Sequence, residues 1–216
     1  MTLRAAVIGV GSMGRNHARV YWEMSEAVQL VGVSDVNLNQ AETLAHKFGV
    51  RAYSNYQQLL DDLAPDIVTI AVPTSLHKEI ALDVISRGIH VLIEKPISST
   101  VQDGEEIIHA AEAQNVKLMI GHIERFNPAI IALKARVELG ELGKIFQVDV
   151  RRQGPFPTRI NDVGVVVDLA VHDLDIMRYV TGQEIIRVVA ETEHQIHSTR
   201  EDLLTALVRL SGGAVG

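Results

Sequence analysis

The sequence contains no cysteine. This absence excludes a disulfide framework, a thiolate metal site and a cysteine nucleophile, and it suits a reducing compartment. Long apolar runs are also lacking, because no segment approaches the roughly 20 residues that a membrane-spanning helix needs. We therefore expect a soluble protein, with the cytoplasm as its location.

Positive charge is scarce as well. The chain has 20 Lys and Arg against 27 Asp and Glu, so its formal net charge is -7. Nucleic acid and anionic membranes both reward basic surfaces, and we expect neither as the main partner. At 216 residues and 47% hydrophobic content, the chain can bury a substantial core. A small-molecule ligand is the expected partner.

The first 120 residues alternate apolar strands with amphipathic helices. Strands are predicted at residues 3–10, 28–34, 51–53, 67–72, 89–93 and 117–120. Helices are predicted between them at residues 12–24, 37–48, 55–63, 75–87 and 100–114. This alternation is typical of a doubly wound parallel sheet covered on both faces. We predict an α/β domain over residues 1–120.

The pattern changes after Gly121. A helix is predicted at residues 127–139, an alternating strand at 144–152, a loop rich in Pro and Gly at 153–163, and a helix at 164–179. Two strands then follow, at 184–193 and 202–210, with no helix between them. Consecutive strands favour a mixed or antiparallel sheet, so we predict a second, α+β domain over residues 121–216.

The last residues predict an unfinished sheet. Ser211, Gly212 and Gly213 form a predicted hairpin turn, and the three residues after them begin a returning strand. A sheet that stopped there would have an unprotected edge. We therefore expect the sequence to be a piece of a longer protein.

Residues 9–14 form a complete G-x-G-x-x-G motif between a predicted strand and a predicted helix. Gly9 permits the tight turn, Gly11 lets the backbone approach a pyrophosphate, and Gly14 allows close packing of helix and strand. Ser12 and Met13 begin the helix, whose N-terminus faces the phosphate charge. A merely glycine-rich turn is the alternative, and the surrounding α/β pattern favours a Rossmann dinucleotide site.

Asp35 ends the second predicted strand, about 20 residues beyond the last glycine. A carboxylate at this position accepts hydrogen bonds from ribose hydroxyl groups and repels a 2′-phosphate. Asp35 could instead cap a helix, although Ser34 or Asn37 could also supply that cap. We predict NAD in preference to NADP.

Further polar residues stand at the ends of later strands. Pro73 and Thr74 follow the fourth strand, and Glu94 and Lys95 follow the fifth. Ligands of open α/β sheets bind at this carboxyl edge. Lys95 either faces that crevice or is simply solvated.

The predicted helix at 164–179 contains Asp168, His172 and Asp175 along one stripe. A dehydrogenase needs a group that takes the hydroxyl proton while hydride leaves for a nicotinamide. His172 suits that role, and Lys95 would stabilise charge on the same oxygen. Asp168 would orient one or both of them. The alternative is a partly buried histidine that a neighbouring aspartate satisfies.

Glu94-Lys95-Pro96 after the fifth strand, together with Asp168-x-x-x-His172, resembles the Gfo/Idh/MocA family of oxidoreductases. The resemblance covers essentially the whole chain and includes residues 73–77, which are similar to the family loop beside the nicotinamide. It implies a Rossmann domain followed by an α/β domain for substrate and oligomer contacts, and a homo-oligomer. It also implies that Lys95, Asp168 and His172 are catalytic, and that Pro73, Thr74, His77, Glu94 and Lys95 lie at the cofactor.

Residues 121–128 and 152–157 resemble a branch of the family that oxidises the 3-hydroxyl of UDP-N-acetylglucosamine. A nucleotide sugar needs cations for its diphosphate, and arginines are frequent here, although several could be ordinary surface residues. The predicted substrate-binding residues are Lys95, His122, Arg125, Asn127, Arg152, Arg159, Asp168 and His172, with Arg151 nearby. A single glycine, Gly164, precedes the helix where many members have two or three, which leaves the substrate open.

Two other functions stay open. A dehydrogenase of inositol or of a free sugar would need no arginine cluster. A non-catalytic NAD(H) sensor or assembly subunit would need no proton acceptor, so Lys95, Asp168 and His172 count against it. We predict no metal site, because no cysteine or second histidine completes a ligand set with Asp168 and His172.

Overall fold

The computed structural model describes residues 2–154, 163–197 and 199–216. The chain divides into two compact units, Met1–Gly121 and His122–Gly216, here called unit 1 and unit 2. Across the described ranges, no helix combines the length and the apolar character needed to cross a membrane.

Unit 1 is built on one parallel sheet of six strands. The strands are β1 (Leu3–Ile8), β2 (Val28–Ser34), β3 (Arg51–Tyr53), β4 (Ile67–Ile70), β5 (His90–Ile93) and β6 (Leu118–Ile120). The helices between them are α1 (Ser12–Glu23), α2 (Leu38–Phe48), α3 (Tyr56–Leu63), α4 (His77–Ser86) and α5 (Val101–Ala113). The strand order is β3-β2-β1-β4-β5-β6. The predicted doubly wound fold is confirmed, and its winding reverses between β1 and β4, where such sheets bind ligands.

Strand β1 explains why the strands of unit 1 are continuously apolar. Ala6 and Ile8 belong to one hydrophobic cluster and Val7 to another, as expected for side chains that alternate between two faces. Helices α3, α4 and α5 contribute to the first cluster, and α1 and α2 to the second. Both faces of β1 are therefore covered, and its carboxyl end opens directly into the glycine motif.

Capping side chains fix where three helices of unit 1 begin. Asn37, Asn55 and Thr100 precede α2, α3 and α5, and each accepts a hydrogen bond from the backbone N–H three residues later. Such caps satisfy an N–H group that the helix itself cannot bond. Because Asn37 caps α2, the capping role is not left to Asp35.

Unit 2 contains helices α6 (Pro128–Glu138) and α7 (Val171–Thr181) and strands β7 (Ile185–Glu193) and β8 (Leu203–Leu210). The two strands pair antiparallel, as their succession without a helix predicts. Their apolar side chains are largely exposed, with Ile186 at 65% and Val189 at 60%. After β8 a turn at 211–213 brings Val215 back against Arg209, which confirms the predicted hairpin turn.

Two predicted elements of unit 2 differ in the structure. The predicted strand at 144–152 is wrong, since its ladder is limited to hydrogen bonds of Phe146 and Val148 with Val215. The predicted helix at 164–179 begins instead with a π-helical turn, Val166–Ala170. There the N–H of Val171 donates to the carbonyl oxygen of Val166, five residues earlier.

Candidate active site

The glycine motif forms a cradle between β1 and α1. Gly9 has φ +87°, and a Cβ atom added at Gly14 would lie only 1.8 Å from the carbonyl oxygen of Gly9. The absence of a side chain at these two positions therefore lets the turn pack directly against the helix. A Cβ atom at Gly11 would meet nothing within 4 Å, so the backbone there borders open space. Such a surface can admit a phosphate group.

The start of α1 supplies donors to this cradle. Gly11 precedes the helix, and no side chain caps it. Its first N–H groups, beginning at Ser12 and Met13, belong to the positive end of the helix dipole. An open backbone and uncapped N–H groups at one point fit a pyrophosphate.

Asp35 connects the cradle to the end of β2. Its Oδ2 accepts from the Val10 N–H at 2.8 Å, and its Oδ1 accepts from the Asn37 N–H at 2.9 Å. These bonds fix the carboxylate beside the glycine turn. Each oxygen can accept a further hydrogen bond, because an ionised carboxylate offers about four acceptor positions. The site thus fits a dinucleotide with an unmodified ribose.

Glu94 links the loop after β5 to α1. Its Oε1 lies 2.7 Å from Nε2 of His17, and its Oε2 accepts from the Lys95 N–H at 3.2 Å. The residue is only 9% exposed. Glu94 thus holds the backbone of Lys95, whereas the sequence predicts that it contacts the cofactor.

His77 lies at the start of α4 and is 1% exposed. Its Nδ1 is 2.9 Å from the carbonyl oxygen of Pro96, and its Nε2 is 3.0 Å from that of Val72. The sequence places His77 at the cofactor, but both ring nitrogens are engaged by the main chain. The ring therefore offers no nitrogen to a ligand.

The remaining residues predicted at the cofactor lie on the same edge of the sheet. Pro73 is exposed and Thr74 is half-buried, in the loop after β4, and Lys95 is half-buried after β5. Strands β4 and β5 are hydrogen-bonded neighbours. Lys95 therefore stands two strands from the glycine turn, at the carboxyl edge where a dinucleotide would extend.

In unit 2, Asp168 lies within the π-helical turn and His172 lies in the first turn of α7. Both residues are half-buried. A π-helical turn widens the helix locally and is frequent at functional sites. An imidazole and a carboxylate are among the side-chain types that transfer or orient protons in active sites.

Glu201 supports the beginning of this helical segment. Its carbonyl oxygen accepts from the Val165 N–H at 2.9 Å, and its Oε1 accepts from the Val166 N–H at 3.3 Å. A Cβ atom at Gly164 would lie 2.1 Å from the Glu201 carboxyl group. The absence of a side chain at Gly164 therefore leaves room for the Glu201 carboxyl group beside the start of the helix.

Two arginines of unit 2 are paired with carboxylates. Arg125 donates to both oxygens of Asp175, at 2.8 and 2.5 Å, and Asp175 is 5% exposed. Hydrogen bonds from Asp175 raise the pKa of the Arg125 guanidinium. Arg152 donates to Asp173, at 2.9 Å for the shortest contact. A diphosphate would have to compete with these carboxylates for both guanidinium groups.

Other residues predicted to bind substrate have structural contacts. Asn127 caps α6, where its side chain accepts from the Ala129 N–H at 3.0 Å. Nδ1 of His122 lies 3.7 Å from Oδ2 of Asp175. Arg159 and residues 155–157 of the motif at 152–157 lie outside the described residues. Within the described ranges, no group of three His, Asp or Glu side chains is arranged to hold a metal ion.

His17 and Glu201 support the candidate site but are not among the residues that the sequence predicts there. His17 could have been found, because it follows Gly14 by three residues and so lies on the same face of α1. Glu201 has no such signal: it meets Gly164 only through the tertiary fold.

Comparisons with known proteins identify both parts of the chain. A family model for the Gfo/Idh/MocA oxidoreductases with an NAD-binding Rossmann fold matches residues 3–122, and the model of the family's C-terminal domain matches residues 130–216. UDP-N-acetylglucosamine 3-dehydrogenase of Acidithiobacillus ferrooxidans is 35% identical over 99% of this chain and 65% of its own length. Its crystal structure has a TM-score of 0.89, at 34% identity over 100% of this chain and 68% of that one.

Two further relatives differ in their named substrates. Inositol 2-dehydrogenase 2 of Saccharopolyspora erythraea is 30% identical over 94% of this chain and 60% of its own length. The WlbA dehydrogenase of Bordetella pertussis, solved with NADH and UDP-GlcNAcA, has a TM-score of 0.93 at 25% identity, over 100% of this chain and 71% of that one. The chain spans less than two thirds of the length of the curated relatives named above. It belongs to the Gfo/Idh/MocA family of oxidoreductases with an NAD-binding Rossmann fold.

Proposed function

We propose that this protein oxidises a secondary hydroxyl group of a sugar or inositol to a ketone and transfers the hydride to NAD. The observation that supports it most is the cradle at Gly11, open to a phosphate and bordered by Asp35, on the same sheet edge as Lys95. The relatives named as dehydrogenases support the reaction class. The substrate class is the part that needs an experiment.

NAD, when bound, supplies the acceptor for the hydride. The backbone at Gly11, Ser12 and Met13 would bind its pyrophosphate, and Asp35 would accept from its ribose. His172 would take the proton of the substrate hydroxyl group, with Asp168 orienting the imidazole. Lys95 would stabilise negative charge on the substrate oxygen as that proton leaves.

The first candidate substrate is UDP-N-acetylglucosamine, oxidised at its 3-hydroxyl. The relatives from Acidithiobacillus ferrooxidans and Bordetella pertussis favour it, because their names or bound ligands are nucleotide sugars. Arg125 and Arg152 of unit 2 would then release their carboxylate partners and bind the diphosphate. Unit 2 is the proposed substrate domain.

The second candidate substrate is an inositol or another free polyol. The ion pairs of Arg125 with Asp175 and of Arg152 with Asp173 favour it. In these pairs the carboxylates already neutralise the positive charge that a diphosphate would need. A neutral polyol needs hydrogen bonds and no excess of cations. The relative from Saccharopolyspora erythraea supports the same reading.

NADH formation with each candidate substrate separates these possibilities. We expect the purified protein to reduce NAD with UDP-N-acetylglucosamine and to show little turnover with myo-inositol. Turnover of myo-inositol alone would assign the protein to the polyol dehydrogenases. If neither substrate is turned over while NAD still binds, the proposed reaction is wrong and the sensor alternative gains support. A parallel assay contains 2-oxoglutarate, whose reduction to 2-hydroxyglutarate would reveal NADH that is reoxidised while it stays bound.

Replacing Asp35 with serine is expected to narrow the preference for NAD over NADP. The substitution removes the negative charge that would repel a 2′-phosphate, and it also removes the acceptor of the Val10 N–H. We expect the dissociation constant for NADP, divided by that for NAD, to fall by about tenfold. Asp62→Ser, at an exposed carboxylate of α3, should leave the ratio unchanged. An unaltered ratio in Asp35→Ser would remove Asp35 from cofactor selection.

Self-association is part of the proposal as well. Strands β7 and β8 expose apolar side chains, including Val188 and Leu207, each at 56%. Exposed apolar surface of this kind commonly marks a contact between proteins. Light scattering would detect a homo-oligomer, and a monomeric mass would remove this part of the proposal.

A further inference from the structure

The ring of His77 bridges two strand ends of unit 1. Its Nε2 meets the carbonyl oxygen of Val72, just after β4, at 3.0 Å. Its Nδ1 meets the carbonyl oxygen of Pro96, just after β5, at 2.9 Å. The residue is 1% exposed, so both contacts are made away from solvent. The bridge ends one residue from Lys95.

Both partners of the ring are acceptors. A carbonyl oxygen has lone pairs and no proton to donate. A neutral imidazole has one N–H and one lone pair, so it can satisfy only one of the two carbonyl groups. The other nitrogen would then direct its lone pair at an oxygen within hydrogen-bonding distance. An imidazolium donates from both nitrogens and satisfies both contacts.

The charged residues next to the bridge in sequence are of both signs. The next residues of α4 are Lys78 and Glu79, and Lys78 is held by Asp103 on α5 at 2.6 Å. The loop after β5 carries Glu94 and Lys95. The carbonyl oxygens of Val72 and Pro96 themselves carry partial negative charge toward the ring.

We propose that His77 is a positioning residue whose ring, protonated at both nitrogens, ties the end of β4 to the loop that presents Lys95. The ring touches neither cofactor nor substrate. The consequence for catalysis rests on the proposed function, in which Lys95 stabilises charge on the substrate oxygen. The protonation state of the ring does not depend on that function.

Nitrogen NMR of the histidine rings tests the protonation state directly. In the same unit, His90 provides an internal reference, because its Nδ1 accepts from the Lys117 N–H at 3.1 Å and must have a lone pair. At neutral pH we expect two protonated ring nitrogens for His77 and a lone-pair Nδ1 for His90. The signals of His77 are assigned by their loss in His77→Gln. A lone-pair nitrogen at His77 in the wild-type protein would overturn the proposal.

Steady-state kinetics tests the positioning role. A glutamine at position 77 has one amide nitrogen and cannot donate to two carbonyl groups on opposite sides of a ring. We expect His77→Gln to lower kcat by about tenfold, because small displacements of a catalytic group are costly. The dissociation constant for NAD should stay within about twofold of wild type. The matched control His90→Gln, at the other end of β5, should change neither quantity.

The outcomes separate this proposal from the proposed function. A wild-type kcat in His77→Gln would show that the bridge does not position Lys95. If His77→Gln fails to fold, the ring signals of His77 are assigned in the wild-type protein by their through-bond correlation to the backbone of residue 77, and they still decide the protonation state. If the wild-type protein turns over neither candidate substrate, the proposed reaction fails, whereas two protonated nitrogens at His77 would still support the bridge.

Discussion

Replacing His172 with alanine is expected to lower kcat by about 10²- to 10⁴-fold, the contribution typical of a general base. The substitution removes the proposed acceptor of the hydroxyl proton in unit 2. In the proposed function the glycine motif and Asp35 of unit 1 bind NAD, so the dissociation constant for NAD should stay within about twofold of wild type. Steady-state kinetics and fluorescence titration of NAD measure the two quantities separately.

An exposed histidine of the same unit provides the control for this substitution. His194 follows β7 directly and is exposed. His194→Ala should retain wild-type kcat, so a loss confined to His172→Ala would reflect the position of the imidazole. Unimpaired turnover in His172→Ala would contradict the assignment of His172 as the base. A matching loss of NAD affinity would point instead to a defect in folding.

Alanine at two glycines of the cradle is expected to have opposite consequences. In Gly14→Ala the new Cβ atom would lie 1.8 Å from the carbonyl oxygen of Gly9, and backbone cannot yield cheaply. We expect a loss of stability of about 3 kcal/mol or more, at the upper end of what overpacking costs. In Gly11→Ala the Cβ atom meets nothing within 4 Å, and φ of -64° suits alanine. Its stability should match wild type, while NAD affinity falls because the methyl group occupies the proposed phosphate position.

Denaturant unfolding and NAD titration on both variants check this pair of expectations. Each variant serves as the control for the other, because the chemical change is the same. Wild-type affinity for NAD in Gly11→Ala would place the pyrophosphate elsewhere. Wild-type stability in Gly14→Ala would mean that the turn and α1 separate more readily than their contact suggests.

The parallel sheet could be predicted from the sequence because each strand is a short apolar run between amphipathic helices. The order of the strands could not, since periodicity does not say which strands are neighbours. The predicted strand at 144–152 failed for a related reason. Alternating side chains mark a suitable segment, but a strand also needs a partner, and the hydrogen bonds described there join Phe146 and Val148 to Val215.

The candidate site was likewise predictable from the sequence only in part. The glycine motif and Asp35 were predictable, because local spacing determines how a turn presents its backbone. The π-helical turn that contains Asp168 gave no sequence signal. The Asp175 partner of Arg125 and the Pro96 partner of His77 were equally hidden, since they lie 50 and 19 residues away along the chain. An arginine in a sequence motif indicates that a positive charge is present. The carboxylate that pairs with it is known only from the fold.

Hydride transfer is tested most directly by the isotope content of the NADH formed. The purified protein is mixed with NAD and with UDP-N-acetylglucosamine or myo-inositol, each deuterated at the carbon atoms that carry hydroxyl groups. We expect one of these substrates to yield NADH that carries deuterium, together with the matching ketone. Ketone formed without labelled NADH, or no oxidation of either substrate by protein that binds NAD, would contradict the proposed reaction.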